Sequence, residues 1–208
     1  MTNYQLSKIM IKTIIIAVMA ICLNSALKAD TTTYIIEPAE SNLVEFTSEA
    51  PVEKIVGTTN QITGEINIDP DDLSQPITAW FEVDAASIDT KNRIRNGHMR
   101  KNHLHTDKYP KIRYDLKSIE GIEGKFPADQ KVEFTATGEF HLHGITKTIQ
   151  PKITAEYLSS ENAFEILAEF QVPLDEYEIP LPQFLILKVA NVHELKVKFR
   201  ATQKQVDH

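Results

Sequence analysis

From about residue 34 onward, apolar side chains return at every second position. Val44, Phe46 and Ser48 alternate with charged or polar neighbours, as do Ile62, Gly64, Ile66 and Ile68, and then Ile77, Ala79, Phe81 and Val83. The same period runs through Ile112, Tyr114 and Leu116, through Val132, Phe134, Ala136, Gly138, Phe140 and Leu142, and through Ile149, Ile153, Ala155 and Tyr157. It ends with Phe164, Ile166, Ala168, Phe170 and Val172, and with Leu195, Val197 and Phe199. Successive side chains of a strand point to opposite faces, so each run reads as a strand with one face on a core. Turn signals separate the runs: Asp69-Pro70-Asp71-Asp72, Gly121 with Gly124, Gly144, Ser159-Ser160 and Pro180-Leu181-Pro182. About eight antiparallel strands at this spacing predict an all-β domain, a sandwich or a closed barrel.

One stretch breaks the period. Asp89-Thr90 reads as a helix N-cap, and Lys91 to Leu104 lacks both alternation and proline, which predicts a short helix ending before Tyr109-Pro110. Between residues 91 and 105 stand Lys91, Arg93, Arg95, Arg100 and Lys101, with His98, His103 and His105 and no acid. Such a cluster suits an anionic head group or a lipid surface; equally, it is what a solvated helix face looks like when acids elsewhere in the fold balance it.

The N-terminus follows a different logic. Lys8 and Lys12 precede the uncharged apolar run Thr13 to Leu23, and Ser25, Ala26 and Ala29 follow. That order is a secretory signal peptide over residues 1–29, cleaved after Ala29 or Ala26, with residues 30–208 as a single mature domain. The run is shorter than the roughly 20 residues a spanning helix needs. The expected location is the periplasm. The chain's single cysteine, Cys22, lies inside the apolar run, so the mature domain has no disulfide and depends on its core. The segment carries three lysines and no acid, and its removal takes the formal net charge from −7 to −10. A chain this acidic is a poor partner for nucleic acid or for an anionic membrane surface. No second apolar run is long enough for stable membrane insertion.

Catalytic patterns are scarce. No G-x-S-x-G elbow, G-x-G-x-x-G or P-loop occurs. His193-Glu194 starts like a zinc protease helix, but Val197 stands where the second histidine belongs, and the segment reads as a strand. His141 and His143 share a strand face, the one carrying Glu133, Thr135, Thr137 and Glu139, and so are expected to look at solvent rather than hold a metal. These observations predict no catalytic residue, no metal and no cofactor.

Two segments resemble a known family. Val83 to Thr90 reads V-D-A-A-S-I-D-T and leads into R-I-R-N-G-H-M-R-K-N-H-L-H-T-D-K-Y-P-K-I-R-Y from Arg93 to Tyr114; Thr137 to Lys147 reads T-G-E-F-H-L-H-G-I-T-K. In order and spacing these are similar to the YceI-like family of exported lipid-binding proteins, over about Tyr34 to Ala201. Departures are Leu104-His105-Thr106-Asp107 where the family has Phe-Phe-Asp, His98-Met99 for His-Leu, and Pro173 to Ile179 in place of a stretch with arginine and glycine. The resemblance implies an eight-stranded antiparallel lipocalin-like β-barrel with one short helix near its mouth, holding a polyisoprenoid or fatty amphiphile. A barrel of that size has room for packed side chains or for one slender ligand. Phe46, Phe81, Tyr114, Phe134, Phe140, Phe164, Phe170 and Phe199 all fall on the apolar phase of their strands and are the candidate lumen residues. Arg95 and His98, about one helical turn apart, are the candidates to meet a head group at the mouth. The expected function is an exported binding protein for a long apolar ligand, an isoprenoid or fatty-acid-like lipid, in transport, storage or stress protection. Two other readings stay open: a packed barrel that works through its surface as an interaction or stress protein, and an enzyme of lipid or isoprenoid metabolism. The sequence leaves the oligomeric state open, a dimer included.

Overall fold

Alternation becomes strand almost wherever it persists. The structure, a computed structural model, describes residues 31–205 except 51, 52, 182, 185, 186 and 189. The expected signal segment 1–29, with Cys22 and both cleavage positions, lies outside the described residues. The strands are β1 (Thr32–Ile36), β2 (Leu43–Glu49), β3 (Lys54–Thr59), β4 (Ile62–Ile68), β5 (Thr78–Asp84), β6 (Lys111–Glu120), β7 (Lys131–Leu142), β8 (Ile145–Ile149), β9 (Lys152–Leu158), β10 (Ala163–Pro173), β11 (Gln183–Phe184), β12 (Leu187–Lys188) and β13 (Val192–Gln203).

Several of these are halves of longer strands. β8 and β9 pair with β7 in one register, from Leu142↔Ile145 and Gly138↔Ile149 on to Thr135↔Lys152 and Lys131↔Glu156. The interruption falls at Gln150-Pro151, where proline has no N–H to give the ladder. β1 and β2 flank the same edge of β13, β1 at Tyr34↔Gln203 and β2 at Val44↔Val197. β4 and β3 follow them on the far side. The sheet then runs β1/β2, β3/β4, β5, β6, β7, β8/β9, β10 and β13 and returns to β1/β2, a closed eight-stranded antiparallel barrel. Of the two architectures the alternation allowed, it is the barrel. β11 and β12 pair only with one another.

The two ends of the barrel differ. At one end the loops of residues 69–77 and 121–130 are stitched together, Leu73 N–H donating to Gly124 and Phe126 N–H to Pro70. They drive Phe126, 2% exposed, into the barrel floor. There its ring meets Phe164 edge-on at 5.2 Å and Phe134 at 6.5 Å, while Tyr34 meets Phe164 at 4.9 Å. Edge-to-face packing of this kind adds about 0.5–1.5 kcal/mol per pair beyond area burial.

The other end carries the helix. α1 spans Arg93–His98 and continues as a π-helical turn, Met99–His103. Its cap is Asn92, whose side chain accepts from the N–H groups of Ile94 and Arg95, and not Asp89-Thr90 as the sequence suggests. Those two are occupied elsewhere: Asp89 exchanges both backbone hydrogen bonds with Thr58, and its carboxylate accepts from Lys91 N–H and the Asn96 side chain. Two acid-amide candidates within three residues look alike in sequence; the bridge to β3 decides between them.

Candidate ligand-binding site

Inside the barrel, between the helix and the floor, lies a cavity of about 920 Å³. That is near the upper end of the roughly 300–1,000 Å³ of small-molecule sites. Its walls are the inward phase of the strands, and it reaches the surface beside Ile94, an apolar side chain 71% exposed. Glycines widen it. A Cβ on Gly57 would collide with the Phe46 ring and one on Gly138 with Tyr114, so both rings lie flat against backbone instead of standing into the lumen.

Of the eight candidate aromatics, Phe46, Phe81, Tyr114, Phe140, Phe170 and Phe199 line this cavity. Phe134 and Phe164 do not; they belong to the packed floor around Phe126. Strand phase tells inward from outward but not depth along the barrel axis, and the floor is a matter of depth. Phe126 itself lies in a loop, where no alternation marks it.

Arg95 and His98 both border the mouth. The Arg95 guanidinium is committed, however: Nε donates to Thr90 Oγ1 at 3.0 Å, one terminal nitrogen to the Thr90 carbonyl at 2.9 Å, and the other meets Glu53 at 2.5 Å. This fork ties the helix to Glu53, just before β3. Arg95→Ala is therefore expected to cost about 1 kcal/mol of stability, about 2–4 °C in Tm. The same change should leave discrimination between phosphate and neutral head groups unaltered in a competition assay. Loss of affinity confined to phosphate-headed probes would return Arg95 to a head-group role. Lys91 pairs with Asp89 in the same way, so acids answer part of the basic cluster.

Histidines lock the rim. His103 Nδ1 lies 2.6 Å from the Pro180 carbonyl. His143 Nδ1 lies 2.9 Å from the Tyr177 carbonyl and its Nε2 2.7 Å from His105 Nδ1. A carbonyl only accepts, so His143 donates from Nδ1, keeps a lone pair on Nε2 and receives the proton of His105. His143 is thus no simple solvent-facing residue: with Gly144 it forms the β7–β8 turn, both at positive φ, and half-buried it joins the helix end to the 174–179 segment. His141 does sit on the outer face, against Asp115 at 3.0 Å. Among the described residues no group of three metal-binding side chains converges.

The sequence-based candidates did not include His193, which lines the lumen. His193 continues the inward phase of Leu195, Val197 and Phe199 and stacks on Phe46 at 5.4 Å. Burial pushes its pKa down to about 4, against a hydrogen bond to the Ala190 backbone that opposes the shift. Its phase with Leu195, Val197 and Phe199 is the signal in the sequence that marks it.

Residues 34–202 match the YceI-like domain. The chain belongs to the YceI-like family. No curated protein matches it. Among solved structures, this YceI-like chain is similar to Burkholderia cenocepacia BcnA, at 16% identity and TM-score 0.66, covering 80% of this chain and 99% of that one. It is similar to a polyisoprenoid binding domain from Saccharophagus degradans, at 12% identity and TM-score 0.64, covering 84% and 100%. A Campylobacter jejuni YceI protein follows at 15% identity and TM-score 0.60, covering 74% and 88%. At these identities the likeness is one of fold, which the YceI-like barrel shares over nearly the full length of each neighbour.

Proposed function

We propose that this protein is an exported carrier that holds one long-chain apolar molecule, an isoprenoid or a fatty amphiphile, in its barrel. The carrying observation is the cavity: about 920 Å³, walled by aromatic and aliphatic side chains, floored at one end and reaching solvent at the other. A barrel filled by its own side chains would not have it. The Saccharophagus domain of the same fold binds polyisoprenoid, which supports the ligand class. The order of charge, apolar run and small residues in 1–29 supports export to the periplasm.

Burial of each CH₂ is worth about 0.8 kcal/mol. A membrane offers the same apolar environment, so chain burial alone gives capacity and little selectivity between lipids. Native mass spectrometry of residues 30–208 recovered from its own periplasm, followed by organic extraction, tests the carrier reading. The expected result is one chain-like lipid per barrel. A ligand-free mass that stays unchanged after incubation with isoprenoid and fatty probes would overturn it.

A further inference from the structure

Most of the lumen is hydrocarbon, but three polar atoms in its wall are buried without a hydrogen-bond partner: Ser48 Oγ, His193 Nε2 and Tyr114 Oη. Leaving such a group unmet is costly, so their gathering in one cavity points to something that meets them. Ser48 is only 1% exposed. β2 and β13 pair Phe46 with Leu195 and Thr47 with Glu194, and one step further along that register Ser48 stands opposite His193. Both side chains face inward from neighbouring strands, where directly opposed Cβ atoms are about 4.5–5.5 Å apart. That step is the first layer below the rim: β2 ends at Glu49 and β13 begins at Val192.

The chemistry of the pair is defined. A neutral imidazole carries one N–H and one lone pair, so it can meet a group that both donates and accepts. His193 Nε2 has no partner and belongs to a ring that lines the cavity, so whichever tautomer is present Nε2 is left to be met. The stack on Phe46, 5.4 Å apart and 10° from parallel, holds the ring there. Burial keeps the ring neutral at neutral pH. The Ser48 hydroxyl can donate or accept. On the opposite wall, burial also keeps the Tyr114 phenol protonated. The two arginines of the lining already have acid partners, Arg95 with Glu53 and Arg113 with Asp115 and Glu82, and Glu45 also borders the cavity, so an anion has no free guanidinium there.

We propose that Ser48 and His193 form a subsite for an uncharged head group that donates one hydrogen bond and accepts another, a hydroxyl being the smallest such group. Its O–H would give its proton to His193 Nε2 and its oxygen would accept from Ser48, while the chain runs down the lumen toward the Phe126 floor. This subsite rests on the carrier reading and adds the identity of the head and its place, inside the rim and away from the basic helix.

The test is a matched series of C16 probes, 1-hexadecanol, its methyl ether and hexadecyl phosphate, competed against a fluorescent fatty probe on the mature chain. The alcohol is expected to bind about tenfold more tightly than the ether, which cannot donate, and than the phosphate. In Ser48→Ala with His193→Phe, which keeps a ring on Phe46, the alcohol-to-ether ratio should fall to about one. Equal affinity for all three heads in the wild-type protein, or preference for the phosphate, overturns the subsite and leaves the carrier reading standing. So does a ratio unchanged in the double variant. Failure of every chain to bind overturns the carrier reading itself. The wild-type series decides the matter even if the double variant does not fold.

Discussion

Phe126→Ala is expected to lower the unfolding free energy by about 3–5 kcal/mol, on the order of 10 °C in Tm. The ring is 2% exposed and touches Phe134 and Phe164, and the loops of residues 69–77 and 121–130 hold it in place through paired backbone hydrogen bonds. Deleting it leaves a hole whose aromatic lining has few ways to collapse, since the walls are closed strands. Thermal and urea unfolding measure the loss, and the urea slope should stay the same because the surface exposed on unfolding hardly changes. The variant should also accept longer chains than the wild-type protein does, because the floor limits depth. A loss below about 1 kcal/mol would mean that the loop detaches without consequence and that the floor is set by Tyr34 and Phe164 alone.

The second large effect is one of pH. His193 titrates near 4 in the folded chain, against about 6.5 when exposed. Between those values the unfolded chain binds the proton and the folded chain does not, so acid favours unfolding. Stability contributed by the neutral ring is fully present above about pH 6.5, declines as pH falls to about 4, and changes no further below that. The whole excursion is about 3 kcal/mol. Denaturant unfolding at pH 7, 5.5 and 4 should therefore show a decline in the wild-type protein that His193→Phe lacks. Carboxylates contribute equally to both and cancel in the comparison. Parallel curves would mean that water entering the lumen keeps the ring at its ordinary pKa.

Most strands were legible because a barrel wall has one dry face and so imposes period two; β1 and β3, short and each only half of a wall strand, gave no run of their own. Even the β8/β9 composite was readable as one strand, since Ile149 and Ile153 keep phase across Pro151. Choosing a barrel over a sandwich needed the family resemblance, because closure depends on which edges meet and alternation is silent on that. Depth was equally hidden. Phe134 and Phe140 share a phase on β7, yet one packs in the floor and the other lines the cavity. Arg95 and His98 border the cavity, but the partner that occupies Arg95, Glu53, lies 42 residues away in sequence. Long-range pairing of this kind leaves no trace in a local pattern. Ser48 and His193 are the reverse case: both were in phase, and what singles them out is the lack of a partner, which only the assembled wall reveals.

The position of β13 carries a consequence for how the chain reaches this state. The last barrel strand pairs with β10 along its whole length, with β2 near its start and with β1 near its end. Tyr34 and Gln203, joined in that ladder, are nearly the two ends of the domain. A growing chain can form the β4–β7 meander early, from neighbours in sequence, but it has no partner for β1, β2 or β10 on the closing side until residues 192–203 have emerged. Such non-local closure is slow compared with hairpin formation. Until it occurs, the apolar inner face is an open trough, exposed to whatever apolar surface the unfinished chain meets.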